Sequence, residues 1–259
     1  MATRSRIEWT QQTWNPVTGC TNVSPGCKNC YARIFAERLK AMGVPGYEQG
    51  FAVTLQPERL REPLKRRKPT LYFVNSMSDL FHEQVPFPYV DRVLEVIRAT
   101  PHHQFQILTK RADRMLGYFG KAKVPANAWL GVSVENRKHG VPRIAPLVRI
   151  KSKVRFLSVE PLIADPGWLP LREIHWVIVG GESGRGARPM NPKWVRKVRD
   201  QCEDAGVPFF FKQWGAWGPD GIRRSKKANG RSIDGKLWSQ LPSMTLSVAG
   251  ELPNVGRQV

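Results

Sequence analysis

The sequence predicts a parallel β/α fold, either a barrel or an open sheet, and three observations carry that expectation. Short apolar runs, rich in β-branched and aromatic residues, recur through the middle of the chain. Helical patterns stand between them. Polar residues gather at the ends of the runs, where β/α folds place their sites.

The runs are TLYFVNS (70–76), QFQILTK (104–110), AWLGVSV (128–134), VRFLSVE (154–160), HWVIVGG (175–181) and PFFFKQW (208–214). Each is too short for a helix and ends in polar or glycine-rich sequence. Their near-continuous apolarity predicts strands buried on both faces, as in a parallel sheet. A helix is predicted over 31–43, with Ile34, Phe35 and Leu39 inward and Gly43 ending it. Another over 89–100 sets Val90, Val93, Leu94 and Ile97 on one face, with Asp91 near its start. A third over 192–206 opens with proline, closes with glycine and repeats Trp194, Val195, Val198 and Cys202 at helical spacing. Cys202 is then a core residue. After Trp214 the texture turns glycine-rich and basic, so the chain divides into a β/α body over 1–215 and a basic extension over 216–259.

The 259 residues suffice for one large α/β domain or two small ones. Lys and Arg number 41 against 21 Asp and Glu, a net charge of +20. Such an excess points to a polyanionic partner, nucleic acid above all. No apolar run approaches the ~18 residues that span a bilayer, and MATRSRIEWT has no apolar stretch behind it as a signal peptide would. The expected partners exclude a membrane, and the expected location is the cytoplasm, where thiols stay reduced.

Three of the four cysteines fall in the stretch GCTNVSPGCKNCYA: Cys20, Cys27 and Cys30. In a reducing compartment, disulfides are a poor reason for that cluster. A structural zinc site wants four ligands, and the first histidine is His82. An iron–sulfur cubane held by four cysteines is likewise one short. Three thiolates leave one metal position open, which suits catalysis better than scaffolding.

The CxxCY that opens a helix, with a third cysteine upstream, resembles the cluster loop of the radical S-adenosylmethionine (SAM) enzymes. The first gap here is three residues longer than that family's usual spacing. From IEWTQQTWNPVTGC through FLSVEPLI, GGESG and FFFKQWG to IDGKLW, the chain also resembles the phage Gp37/Gp68 family of uncharacterised proteins. Within the radical SAM enzymes the nearest pattern is that of the spore photoproduct lyases. The resemblance implies a partial (β/α)6-type barrel and a [4Fe–4S] cluster on Cys20, Cys27 and Cys30. It implies SAM at the open iron, cleaved by one electron to methionine and a 5′-deoxyadenosyl radical, with an electron donor such as flavodoxin or ferredoxin.

The resemblance also implies roles at the strand ends. Ser78 and Asp79 in NSMSDLFHE match a pair that meets the SAM amino group; either also serves as a helix cap. Lys110 in ILTKRADR matches the contact to the SAM carboxylate; its alternative is a solvated surface lysine. Ser133 in LGVSVENR matches a ribose contact, and Glu135 and Asn136 also suit ribose hydroxyls. Glu160 and Glu182 end the next two runs, where pairing with arginine is the default use. From the residues themselves, the backbone of GGESGRGARP with Arg185 and Arg188 suits a phosphate. Lys212 near Trp214 and Trp217, then Arg223 and Arg224, suit a nucleic-acid groove, a solvated loop being the plainer reading. Trp9, Trp14 and Asn15 offer base stacking or simply core.

The expected function is therefore a radical SAM enzyme that modifies or repairs nucleic acid. The competing class is a non-enzymatic nucleic-acid-binding protein with a structural zinc or iron–sulfur site. Met77 rather than a cysteine precedes Ser78, so the resemblance does not extend to photoproduct repair itself.

Overall fold

The computed structural model describes residues 7–243. Seven parallel strands form one curled sheet, a half-barrel, in sequence order: β1 (Gln12–Trp14), β2 (Leu71–Val74), β3 (Gln104–Thr109), β4 (Ala128–Ser133), β5 (Val154–Val159), β6 (Trp176–Gly180) and β7 (Phe209–Gln213). Every neighbour in space is the next sheet strand in sequence, so successive right-handed crossovers keep the helices on one face. These are α1 (Tyr31–Ala41), α2 (Phe87–Ala99), α3 (Ala112–Phe119), α4 (Ile144–Val148) and α5 (Pro192–Asp204).

The helices cover the convex face. Tyr72, Val74, Ile107, Leu130, Val132, Leu157 and Val177 meet Val90, Val93, Leu94 and Ile97 of α2 and Val195, Val198 and Cys202 of α5 in the main core. The concave face holds a second, aromatic core of Trp9, Phe73, Trp129, Phe156, Trp176 and Phe210. Trp9 stacks edge-on against Phe73 at 4.7 Å and Trp176 at 6.1 Å. Gly131 makes room for this plug, because a Cβ there would stand 2.4 Å from the Phe156 ring.

All six predicted strands form, one to three residues shorter than their runs. Helix α1 forms too, but its inward face differs. Ala32 and Ala36 are buried, whereas Ile34 and Phe35 are 47% and 49% exposed. The small alanines let the helix lie close against Tyr47, Phe51 and Met77. Strand β1 and helices α3 and α4 are additions. The extension folds back on the sheet. Phe211 N–H donates to Trp238 O at 3.0 Å and Gln240 N–H to Phe209 O at 3.2 Å, covering the free edge of β7, while Trp238 enters the main core. Residues 244–259 of the predicted extension lie outside the described residues. No helix among the described residues is long and apolar enough to cross a membrane.

Candidate active site

Strand alternation decides which side chains meet at the C-terminal ends. On the concave face run Gln106, Leu108 and Lys110; Trp129, Gly131 and Ser133; Phe156, Ser158 and Glu160; Ile178, Gly180 and Glu182; Phe210 and Lys212. The bulky members plug the N-terminal half of the half-barrel. Small and polar members line the other half, leaving a cavity of about 490 Å³.

The cysteine loop forms one wall of that cavity. Gly19 begins it at φ +79°, with Ala52 O packed where a Cβ would go; only glycine takes that conformation at that closeness without strain. Cys20 N–H donates to Phe51 O at 3.2 Å, and a short 3-10 turn over Pro25–Cys27 carries the chain to Cys30, which caps α1. Cys20, Cys27 and Cys30 are all unpaired and all line the cavity. Ser78, Asp79, Lys110, Ser133 and Lys212 line it with them.

Two clasps hold the loop. At the end of β3, Arg111 donates from Nη1 to Cys20 Sγ (3.5 Å) and Asp79 (3.1 Å), from Nη2 to Thr21 Oγ1 (3.0 Å), and from Nε to both Glu83 oxygens (3.0 Å). The Asp79 carboxylate also accepts from Thr109 Oγ1, Lys110 N–H and Phe81 N–H. Burial and the Asp79 charge push the Cys20 thiol up to about 11, against the pull of the Arg111 guanidinium. At the end of β6, Glu182 accepts from Arg188 and, at 3.0 Å, from Asn29; Arg188 reaches Pro25 O at 3.0 Å and Asn29 reaches Gly186 O at 2.6 Å.

The remaining expected site residues sit as follows. Ser78 Oγ donates to Val17 O at 2.7 Å. Glu135 is wholly buried beneath Gly26 of the cysteine loop and takes Arg143 at 2.6 and 3.2 Å. It does not line the cavity. Burial raises its carboxyl, but Arg143 and Lys110 outweigh burial and hold it below the usual range. Lys212 Nζ pairs with Glu160 at 2.6 Å across adjacent concave positions. Arg185 is exposed; Arg223 donates to Gly184 O at 3.0 Å, and Arg224 pairs with Asp220 at 2.6 Å. Trp9 belongs to the aromatic plug and Trp14 is fully buried, its Nε1 donating to Arg59 O. Cys202 is buried in the core, its thiol pushed up to about 12 by burial.

Sequence reasoning missed Arg111, Glu83 and Asn29. Arg111 adjoins Lys110 in TKRADR, but in so basic a chain one more arginine carries no signal.

The Glu182 clasp is expected to be acid-labile. Burial raises the Glu182 carboxyl, yet the Arg188 and Asn29 hydrogen bonds win and hold it below the ordinary carboxylate value. A depressed folded value contributes stability above the unfolded pKa and loses it as pH falls through the folded one. Glu182→Gln should therefore cost on the order of 2 kcal/mol at about pH 7, with the gap to wild type closing below about pH 4. Thermal unfolding across pH checks this; a gap unchanged in acid contradicts it.

A family model described as "Protein of unknown function (DUF5131)" matches residues 4–242. No curated protein matches the chain in sequence. A solved variant of spore photoproduct lyase aligns with a TM-score of 0.50 at 12% identity, over 78% of this chain and 63% of that one. Spore photoproduct lyase complexed with dinucleoside spore photoproduct aligns with a TM-score of 0.48, at the same identity and coverage. The chain thus spans 63% of the length of these structures, and what it shares with the first of them is the fold alone, a partial parallel β/α barrel.

Proposed function

The chain belongs to the DUF5131 family of proteins of unknown function, and we propose that it is a radical SAM enzyme acting on nucleic acid. One observation carries the reading: three unpaired cysteines of one loop face a single cavity at the C-terminal mouth of a curled parallel sheet. The donor set suits a [4Fe–4S] cluster, which takes soft thiolates and here keeps one iron open. Among the described residues, no three His, Cys, Asp or Glu side chains are grouped to hold a metal ion; the reading rests on the shared cavity and the thiol chemistry.

In this reading Cys20, Cys27 and Cys30 hold the cluster. Bound there, cluster and SAM supply a 5′-deoxyadenosyl radical when an external donor such as flavodoxin or ferredoxin provides one electron. Lys110 offers its ammonium to the SAM carboxylate, and Ser133 its hydroxyl to the ribose. Ser78 and Asp79 flank the same ligand from the cavity wall, and Glu135 stands behind the cysteine loop, outside the cavity. Asp79 and Glu135 are already engaged, so they contribute by fixing the end of β3 and the floor under the cysteine loop. The aromatic plug shuts the N-terminal end of the half-barrel against water. The substrate class rests on the +20 charge.

The test is anaerobic loading with iron and sulfide. Brown protein with about four iron per chain is expected. SAM should perturb the spin-resonance signal of the reduced cluster. Lys110→Ala should keep the iron yet weaken SAM binding roughly tenfold or more, the worth of one charged hydrogen bond. Colourless, zinc-loaded protein, or a signal indifferent to SAM, rules the reading out.

A further inference from the structure

We propose that a nucleic-acid backbone docks on the N-terminal end of the half-barrel, the face opposite the cavity. In a parallel sheet every segment that enters a strand lies at that one end. The segments entering β2 to β6 read LKRRKP, RATPHH, KAKVPA, RIKSK and REIH. Within them stand eleven Lys and Arg and one carboxylate, Glu173, which Arg155 holds at 2.7 Å.

The segments form one surface. His102 Nε2 lies 3.1 Å from Arg66 O, tying the first to the second. Arg98 donates to Lys123 O at 3.2 Å, tying the second to the third. Arg98, Asn127 and Lys153 line a common hollow of about 340 Å³, which brings in the fourth. Arg155 reaches from Ile150 O and Ser152 O across to Glu173, joining the fifth.

What separates this face from the mouth is charge compensation. At the mouth four cations are neutralised, Arg188 by Glu182, Lys212 by Glu160, Arg224 by Asp220 and Lys226 by Glu8, while Lys110, Arg185 and Arg223 stand there without a carboxylate partner among the described residues. On the opposite face Arg67, Lys68, Lys121, Lys123, Lys151 and Lys153 are exposed, and none has a carboxylate partner among the described residues. A row of uncompensated ammonium and guanidinium groups across several strand widths matches a repeating phosphate chain, whose counterions it displaces. Strands of five or six residues separate this face from the cavity by about 20 Å, so a short oligonucleotide bound here does not reach the mouth. The surface anchors; chemistry at the cavity is a separate matter, and the proposal stands on charge rather than on the cluster reading.

The experiment is fluorescence anisotropy with a labelled duplex and a labelled single strand across a salt series, before and after iron loading. Wild type should bind both, with equal salt slopes in the two iron states. The combined Lys121→Ala, Lys123→Ala, Lys151→Ala and Lys153→Ala variant should lose roughly tenfold or more in affinity and about 3–4 units of duplex slope. An independent variant, Arg67→Ala with Lys68→Ala, should lose about two units. Arg223→Ala with Arg224→Ala, at the mouth, should change the slope by less than about one unit. Thermal unfolding establishes that each variant folds. The proposal is overturned if wild type ignores nucleic acid at low salt, if the patch variants keep the full slope, or if phosphatidylserine vesicles compete as well as duplex. Failed iron loading with the slopes intact would sink the cluster reading alone.

Discussion

Arg111→Ala is expected to cost about 3–5 kcal/mol of folding stability. The side chain is 4% exposed and its Asp79 partner 8%, so truncation strands a carboxylate beneath the cysteine loop. Glu83, at 63% exposed, adds little to that cost because water screens it. The same truncation removes the donors to Cys20 Sγ and to Thr21, so the cysteine loop is released on one side. Arg111→Lys should recover part of the charge and little of the fork, because an ammonium cannot meet Asp79, Glu83 and Thr21 together. Urea unfolding measures the loss, and proteolysis between residues 20 and 30 reports the loop. A loss below about 1 kcal/mol, the range of an exposed pair, would show that Asp79 does not depend on Arg111.

The second large effect concerns iron. Cys20→Ala, Cys27→Ala or Cys30→Ala should each lose most of the bound iron, since two thiolates hold a cubane poorly. Cys202→Ala should load like wild type. It sits in the main core behind the sheet, and its loss should register only as a packing change of about 1 kcal/mol. Iron and sulfide analysis after anaerobic loading separates the four. If Cys202→Ala loses iron as fully as the rest, the open-site assignment fails and a four-cysteine site replaces it.

Most of the architecture was legible because its signal is local. Six of the seven sheet strands are apolar runs bounded by polar or glycine residues, and their order in space repeats their order in sequence. Strand β1 escaped because three residues, Gln12–Trp14, are too few to show a period; only pairing with β2 makes them a strand. Helix α3 carried a usable signal in Ala112, Met115 and Phe119 that was not read. The inward face of α1 holds Leu39 as expected but not Ile34 and Phe35, because close approach selects the small Ala32 and Ala36 over larger side chains.

The placement of the strand-end residues was legible for the same reason. Lys110, Ser133 and Lys212 stand on the face that alternation assigns them. An arginine partner was the default expectation for Glu182 and Arg188 supplies it, but its second partner was not legible. Pairings such as Asn29 with Glu182 join positions more than a hundred residues apart, and nothing in either neighbourhood names the other. Arg188 and Arg224, expected to face phosphate, are instead held by carboxylates of their own loops.

The two clasps reach the cysteine loop from β3 and from β6, strands three places apart on an open sheet. The loop therefore acts as a tie-rod across a curved wall that no closing strand completes among the described residues. Whatever the three thiols bind in the folded chain, and release in the unfolded one, adds its binding free energy to the whole wall rather than to the loop alone. Heat resistance of the entire fold then reports occupancy of eleven residues near the N-terminus.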